Sequence, residues 1–408
     1  MSYETLEKIF YQDRVHYEQE VIARRENPCA VHLPVSIHGN PAFYLNLPEV
    51  TDQLELITFT GLEIRELFDT LPEKAQERLC TKAMLQEILH TNEVEGIHSS
   101  RKELREAFDS SQRKQKKKPI KFEGLVRVYS QKQTHPELMI IGLESIREFY
   151  DIAILPDLED KTLYPDGEIF RKEGVTVDDG LKIIHAGIVP EAELVEFMNA
   201  AFNYWSKSTY SIVNLAVFHY LFGYAHPFYD GNGRIGRLLC SLALHDIVHP
   251  LIGYKLATMI ADSKSEYYKA FETCNNPKNR GDLTPFVCYF VKTVCKGARV
   301  VKEQLGITKK QYQFFLQLCN VLCEQKRIQD KEFDMITILL QVALFSDVGI
   351  SIQGLSRATL KSVSTIQKRL QSLKQRGIPI TTERDGKQYL YSLSIEELEK
   401  MAVTIAIP

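Results

Sequence analysis

Two absences narrow the sequence at once. No stretch of its 408 residues reaches the ~20 apolar side chains that a helical bilayer span requires. Its eight cysteines, at 29, 80, 240, 274, 288, 295, 319 and 323, include no C-x-x-C pair, which argues against a zinc ribbon and a thioredoxin-type site. Cys319 and Cys323 share a helix face at i,i+4, where packing explains them better than half a metal site, because the next turn offers no third ligand. The opening residues, MSYETLEKIFYQDR, lack a basic segment followed by an apolar one, so no secretory signal is expected. A soluble protein of the reducing cytoplasm, with no membrane partner, is the expectation. Proline and glycine are scarce, at 16 and 21 residues, which excludes collagen-like and low-complexity chains. There is no excess of either charge: 50 Lys+Arg against 53 Asp+Glu leaves −3. That balance excludes a histone-like polycation and leaves room for a local basic patch.

What is present is the composition of a folded chain, 44% apolar and 25% charged, long enough for two or three domains at ~150 residues each. Periodicity makes it mainly α. Three regions are expected: an N-terminal helical region over 1–120, a helical core over 121–305 and an α+β domain over 306–408. Helical spacing runs from Leu62 to Glu95, with Met84, Leu85, Ile88 and Leu89 on one face, and Gly96 is a natural stop. Ser99 and Ser100 precede Glu103, a capping box for the next helix. The run from Arg113 to Lys121 reads as a solvated basic loop. Helical spacing returns from Pro136 to Tyr150, and Val175-Thr176-Val177 with Ile183-Ile184 predict a small β-hairpin. Helices are expected over Glu191 to Tyr204, Ile212 to Gly223, from Asn232, over Lys264 to Thr273 and over Leu283 to Gln304. Past Gln304 come two further helical stretches, over Lys309 to Glu324 and Lys331 to Phe345. A short helix near Ile352 to Ser356, a basic helix from Ser362 to Gln375 and two strands near Ile378 to Thr382 and Gln388 to Ser392 follow, the order of a winged helix.

The chemistry concentrates in twelve residues, HPFYDGNGRIGR, from His226 to Arg237. An apolar helix ends at His226, Pro227 prevents its continuation, and Asp230-Gly231-Asn232-Gly233 forces a turn before a new helix. Two glycines let backbone approach a ligand, and the unpaired amides of a helix start attract phosphate oxygens. Asp230 supplies the oxygen that Mg²⁺ prefers. Arg234 and Arg237, one turn apart, can face one phosphate chain. His226 is the group here whose ordinary pKa suits a general base near neutrality. Each residue alone is ordinary; one base, one acid, two glycines and two arginines in twelve positions are not what a turn requires.

This run resembles the Fic motif, H-P-F-x-D/E-G-N-G-R-x-x-R, of the Fic-domain AMP-transferases, at every position. The likeness extends to Gly167 and Arg171, to a flap around Lys182 to Val189, and to Tyr267-Tyr268. It implies a Fic helical core with a β-hairpin flap. It also implies transfer of AMP from Mg²⁺-ATP, the nucleotide being substrate, to a Ser, Thr or Tyr hydroxyl of a target protein or of the chain itself, releasing pyrophosphate. On that resemblance His226 is the general base and Asp230 the metal ligand. Gly231, Asn232 and Gly233 form the anion hole, Arg234 contacts phosphates and Arg237 reaches the γ-phosphate. Lys182, Ile183, Ile184 and His185 belong to the target-docking flap. Glycine at 233 favours AMP transfer, since the phosphotransferase branch carries lysine there. Upstream, Thr91-Asn92-Glu93-Val94-Glu95-Gly96 is similar to the inhibitory-helix motif, S/T-x-x-x-E-G/N, of class II Fic proteins. Thr91, Glu95 and Gly96 are its defining residues, and Glu95 is implied to pair with Arg237 and hold the enzyme inactive.

The expected winged helix would carry Lys361, Lys368, Arg369, Lys374 and Arg376 on its recognition helix, with Arg384 and Lys387 on the wing. Its partner is DNA or protein. Two functions therefore stand beside each other: an autoinhibited AMP-transferase whose last domain selects the target, and a transcriptional regulator whose Fic domain senses nucleotide. A Glu95-dependent hydrolase that removes AMP is a variant of the first. The oligomeric state, a homodimer included, is open at this stage.

Overall fold

The computed structural model describes residues 3–112, 120–135, 140–178, 183–208, 211–385 and 388–405. It divides into two compact units: Met1–Leu62 with Met84–Val301, and Glu63–Ala83 with Lys302–Pro408. The fold is mainly helical. In chain order the elements are α1 (Leu6–Gln12), α2 (Arg14–Arg25), the hairpin β1 (Ala30–Ile37) and β2 (Asn40–Leu45), α3 (Pro48–Asp69), α4 (Glu73–Val94), α5 (Arg101–Ser111), α6 (Glu123–Thr134) and α7 (Leu143–Ala153). Next come the short antiparallel pair β3 (Thr176–Asp178) and β4 (Ile183–Ala186), then α8 (Glu191–Ser206), α9 (Ile212–Ala225), α10 (Asn232–Ile247), α11 (Pro250–Gly253), α12 (Leu256–Asp262) and α13 (Lys264–Asn275). The long α14 (Thr284–Glu324) leads to α15 (Phe333–Phe345), β5 (Ile350–Ser351), α16 (Ile352–Thr359), α17 (Val363–Gln375), β6 (Ile380–Asp385), β7 (Gln388–Leu393) and α18 (Ile395–Ile405). No helix among the described residues is long and apolar enough to cross a membrane.

In the first unit α9 is the central helix. Its sequence, IVNLAVFHYLFGYA, is apolar on all sides, which is stable only under cover from every direction, and α8 and α10 pack against it. Trp205 of α8 stacks on Phe218 at 4.9 Å between ring centroids, while Tyr220 meets Phe271 and Phe286 at 5.6 and 5.4 Å. In the second unit α15, α16 and α17 bury Leu339, Leu340, Leu355, Ile366, Leu370 and Leu373. Its three strands run in the order β5-β7-β6.

Three departures from the periodicity have a plain physical reason. The stretch expected from Leu62 to Glu95 is two helices, because Pro72 cannot continue a helix. The two helices expected on either side of residues 305–308 are one: Gly306, which lies between them, costs a helix only about 1 kcal/mol, and α14 passes through it. The helix α6 has no counterpart in the sequence reading, since its polar run Ser130-Gln131-Lys132-Gln133 hides a buried face of Leu125, Val126, Val128 and Tyr129. The expected capping box is present, with Ser100 as N-cap of α5 and Glu103 returning the bond. Residues 113–119 of the basic run and Pro136 to Met139 of the next expected helix lie outside the described residues.

One buried carboxyl group fixes the C-terminal part of α4 within the first unit. Glu87, fully buried, accepts the backbone N–H of Ala257 on both carboxylate oxygens, at 3.0 and 2.8 Å, at the start of α12. Burial pushes its carboxyl up to about 8. A free glutamate titrates near ~4.3, so between that pH and about 8 the folded chain keeps a proton that the unfolded chain releases, and stability falls as pH rises through this window. Glu87→Gln should abolish that contribution. Thermal melts of both proteins from pH 5 to 8 check it: the wild-type midpoint should fall relative to the variant, and parallel curves would contradict it.

Candidate active site

Between α9 and α10 the chain turns through the twelve-residue run. His226 ends α9 in the left-handed region, φ 50°, donating its N–H to Phe222 at 3.0 Å. Asn232 closes the loop on itself: its Oδ1 accepts the N–H of Phe228 at 2.9 Å and its Nδ2 donates to the Phe228 carbonyl at 2.7 Å. Phe228 is locked beneath by Tyr150, stacked at 3.7 Å, whose hydroxyl also donates to the Asp230 carbonyl at 3.0 Å. Gly231 precedes α10 with φ 79°, a conformation that costs glycine nothing. The amides of Asn232, Gly233 and Arg234 open α10, where no intrahelical acceptor is available to them.

Around this nest the side chains converge. Arg237 is fully buried. Its Nη2 donates to Glu95 Oε1 at 2.7 Å and to the Thr91 carbonyl at 2.9 Å, and its Nε donates to the Thr91 hydroxyl at 2.9 Å. Burial works against its charge, and the Glu95 carboxylate, together with the Tyr267 and Tyr268 hydroxyls, more than offsets this, so the guanidinium holds its proton more firmly than a free one. Glu95 follows the last residue of α4, in a turn completed by Gly96 at φ 72°. A side chain at Gly233 would collide with the Glu95 carboxylate, so the absence of a Cβ there lets the carboxylate lie over the helix start. Arg234 is buried with its Nη2 3.8 Å from Asp230. Among the described residues the Nε of Arg234 and the Nη1 of Arg237 are buried without an acceptor.

A cavity of about 1050 Å³ opens beside these groups, lined by His226, Asn232, Gly233 and Arg237, by Glu95, and by Tyr268 and Asn275 farther along. Orphaned guanidinium N–H groups at a helix start beside such a cavity suit a phosphate chain. His219, one turn from Phe222, is no second base: burial pushes it down to about 3, and its Nε2 pairs with the Tyr267 hydroxyl at 2.9 Å. Asp230 is half-exposed, with one oxygen accepting the Gly231 N–H at 2.6 Å. No cluster of three His, Cys, Asp or Glu suited to a metal occurs among the described residues. A single hard carboxylate fits Mg²⁺, which takes one or two protein oxygens and completes its shell with phosphates and water.

Three residues whose roles sequence reasoning did not see frame the site. Arg171 is buried and donates to four carbonyls: His226 at 2.8 Å, Ala225 at 3.3 Å, Ile188 at 3.0 Å and Glu173 at 2.6 Å. It thereby ties both flanks of the β3–β4 hairpin to the end of α9. Glu191, the first residue of α8, accepts the N–H groups of Glu168, Ile169 and Phe170 at 2.9 to 3.0 Å. Tyr229 donates to Asp166 at 2.9 Å and accepts the N–H of Glu173 at 3.0 Å. Within the hairpin Thr176 pairs with Ala186 and Val177 with His185. The backbone of Ile183, Ile184 and His185 is thus in β4, and Lys182 lies outside the described residues.

Replacing Arg171 by Met should leave four carbonyls without their donor. At roughly 1–3 kcal/mol for each buried orphan, a loss of about 3 kcal/mol or more is expected in urea denaturation. A loss below about 1 kcal/mol would contradict the clamp.

Comparison with known proteins agrees with this geometry. Residues 141–244 match the family model described as the Fic/DOC family. Protein adenylyltransferase fic-1 of Caenorhabditis briggsae is 33% identical over 104 residues, 25% of this chain and 18% of that protein. Protein adenylyltransferase Fic of Nematostella vectensis is 26% identical over 182 residues, 38% of this chain and 40% of that one. The chain thus spans less than half the length of these curated relatives. A solved Fic family protein from Desulfovibrio desulfuricans G20 superposes with a TM-score of 0.49 at 18% identity, covering 86% of this chain and 97% of that one. With its motif folded into a helix-start nest inside the matched segment, this chain contains a Fic domain over residues 141–244.

Proposed function

We propose that this protein is a protein adenylyltransferase that moves AMP from ATP to a Ser, Thr or Tyr hydroxyl of a target protein or of itself, and that Glu95 restrains it. The observation that carries the reading is the helix-start nest at Gly231 to Arg234, which shares a cavity with His226 and Arg237 and is accompanied by two buried guanidinium groups with unpaired N–H. The names of the relatives that share this segment support it. The attacking hydroxyl oxygen bonds to the α-phosphorus, the bond from that phosphorus to the oxygen bridging toward the β-phosphate breaks, and pyrophosphate leaves. His226 takes the hydroxyl proton. The amides of the nest stabilise the charge that builds on the α-phosphate oxygens, and Arg234 and Arg237 hold the β- and γ-phosphates. Asp230 would hold Mg²⁺, which when bound neutralises phosphate charge. The outer edge of β4, away from β3, offers main-chain groups to an extended target segment, which aligns a hydroxyl without demanding one sequence.

Restraint follows from competition. Arg237 bonded to Glu95 is denied to the γ-phosphate, and the carboxylate over Gly233 repels phosphate oxygens. ATP then binds in a pose that keeps its α-phosphorus away from in-line attack.

Three variants test the reading with α-labelled ATP and Mg²⁺. Glu95→Gly should raise self-labelling at least tenfold over wild type; equal or lower labelling removes the restraint. In that background His226→Ala should lower transfer by about 10²–10⁴-fold while ATP affinity stays within twofold, and unchanged transfer removes the base assignment. Asp230→Ala should weaken Mg²⁺-dependent ATP binding, and an unaltered Mg²⁺ titration removes the ligand assignment.

A further inference from the structure

We propose that the second unit contains a winged helix whose α17 binds double-stranded DNA. The proposal is independent of the transferase reading. From Val348 to Thr382 the sequence has six basic residues and no acidic one. The whole chain carries −3, so the remainder carries −9 and this segment stands out from it in sign. Composition alone would leave it a solvated stretch; the fold gives it a face.

The order of α15, β5, α16, α17, β6 and β7 is helix, strand, two helices and a hairpin, the arrangement in which the third helix enters the major groove. Helix α17 has 13 residues, about 20 Å at 1.5 Å per residue, long enough to cross a groove ~12 Å wide. Its inner side buries Ile366, Leu370 and Leu373. Its outer side presents Ser364, Gln367, Lys368, Gln371 and Lys374, all exposed, with Lys361 just ahead. That face holds only hydroxyl, amide and ammonium groups. Such groups pair with purine edges, and the ammonium groups also neutralise phosphates. Arg357, exposed on α16, adds a further cation.

The structure also removes one residue from the expected surface. Arg376 ends α17 and donates from Nη2 to both oxygens of the buried Glu332, each at 2.6 Å, so it holds α17 in the unit and does not face DNA. The described part of the wing, Glu383-Arg384-Asp385, has no net positive charge, which leaves the contact to α17 and α16. A protein-docking face would be expected to be apolar at its centre; here the exposed apolar residues nearest it, Leu360 and Val363, lie just before and at the first residue of α17, and the outer side beyond them is polar.

The test uses the full chain and a fluorescein-labelled 24-base-pair duplex of mixed sequence, followed by anisotropy at 50 and 200 mM NaCl. Binding at 50 mM, weakened about 10²-fold at 200 mM, is expected for four phosphate contacts at a slope of about −0.9 each. Lys361→Glu with Lys368→Glu, both exposed and so neutral to folding by circular dichroism, should weaken binding at least tenfold at 50 mM. Lys400→Glu, on α18, should leave it unchanged. No binding at 50 mM, as expected of a protein-docking module, overturns the proposal. Equal weakening by the α17 pair and by Lys400→Glu overturns it too.

Discussion

A single buried cation, Arg237, organises the first unit. A guanidinium with no solvent contact must be paired, because an isolated charge in such surroundings is prohibitively costly. Here its partners come from a helix remote in sequence: the Thr91 hydroxyl and carbonyl and the Glu95 carboxylate at 2.7 Å. That requirement draws the end of α4 onto the start of α10. Glu87 anchors the same helix two turns earlier by capping α12, and Tyr268 donates to the Val94 carbonyl at 3.3 Å. A phosphate is the other ligand chemically suited to Arg237, and the cavity beside it admits one. Under the proposed function, the pairing that neutralises Arg237 is the one a nucleotide would displace.

The rest of the site is built to hold backbone still. The nest at Gly231 to Arg234 depends on amides with fixed directions, and Asn232, Tyr150 and Phe228 fix them from three sides. Arg171 works in reverse, gathering carbonyls from the end of α9 and from both flanks of the hairpin, so the strand edge and the imidazole share one frame. Glu191 and Tyr229 hold the segment that delivers Arg171. Charged side chains bonded to main-chain groups recur here because they set position without depending on the identity of their neighbours.

The site was legible where its residues are contiguous. The run from His226 to Arg237 announces a helix end, a turn and a helix start, and each member lies at the nest or beside it. Thr91 and Glu95 were legible through a hexapeptide pattern, and their bonds to Arg237 have the geometry that pattern implies. What the sequence hid are pairings set by the fold. Nothing near Arg171 in sequence marks the carbonyls of His226 and Ile188 as its acceptors, and Glu87 looks like any surface glutamate of an amphipathic helix. By sequence Arg376 is one more cation of a basic helix, and the fold pairs it with the buried Glu332. Helix boundaries were hidden for the same reason: Pro72 breaks a helix by its own covalent geometry, whereas Gly306 only weakens one, and packing elsewhere along α14 decides.

The central claim is that Glu95 and the γ-phosphate compete for Arg237. Calorimetric titration of wild type and Glu95→Gln with Mg²⁺-ATP and Mg²⁺-ADP tests it most directly, because the two nucleotides differ by that phosphate alone. Competition predicts that neutralising Glu95 tightens ATP several-fold more than ADP. Equal changes for both nucleotides would mean that the carboxylate and the γ-phosphate do not share a site.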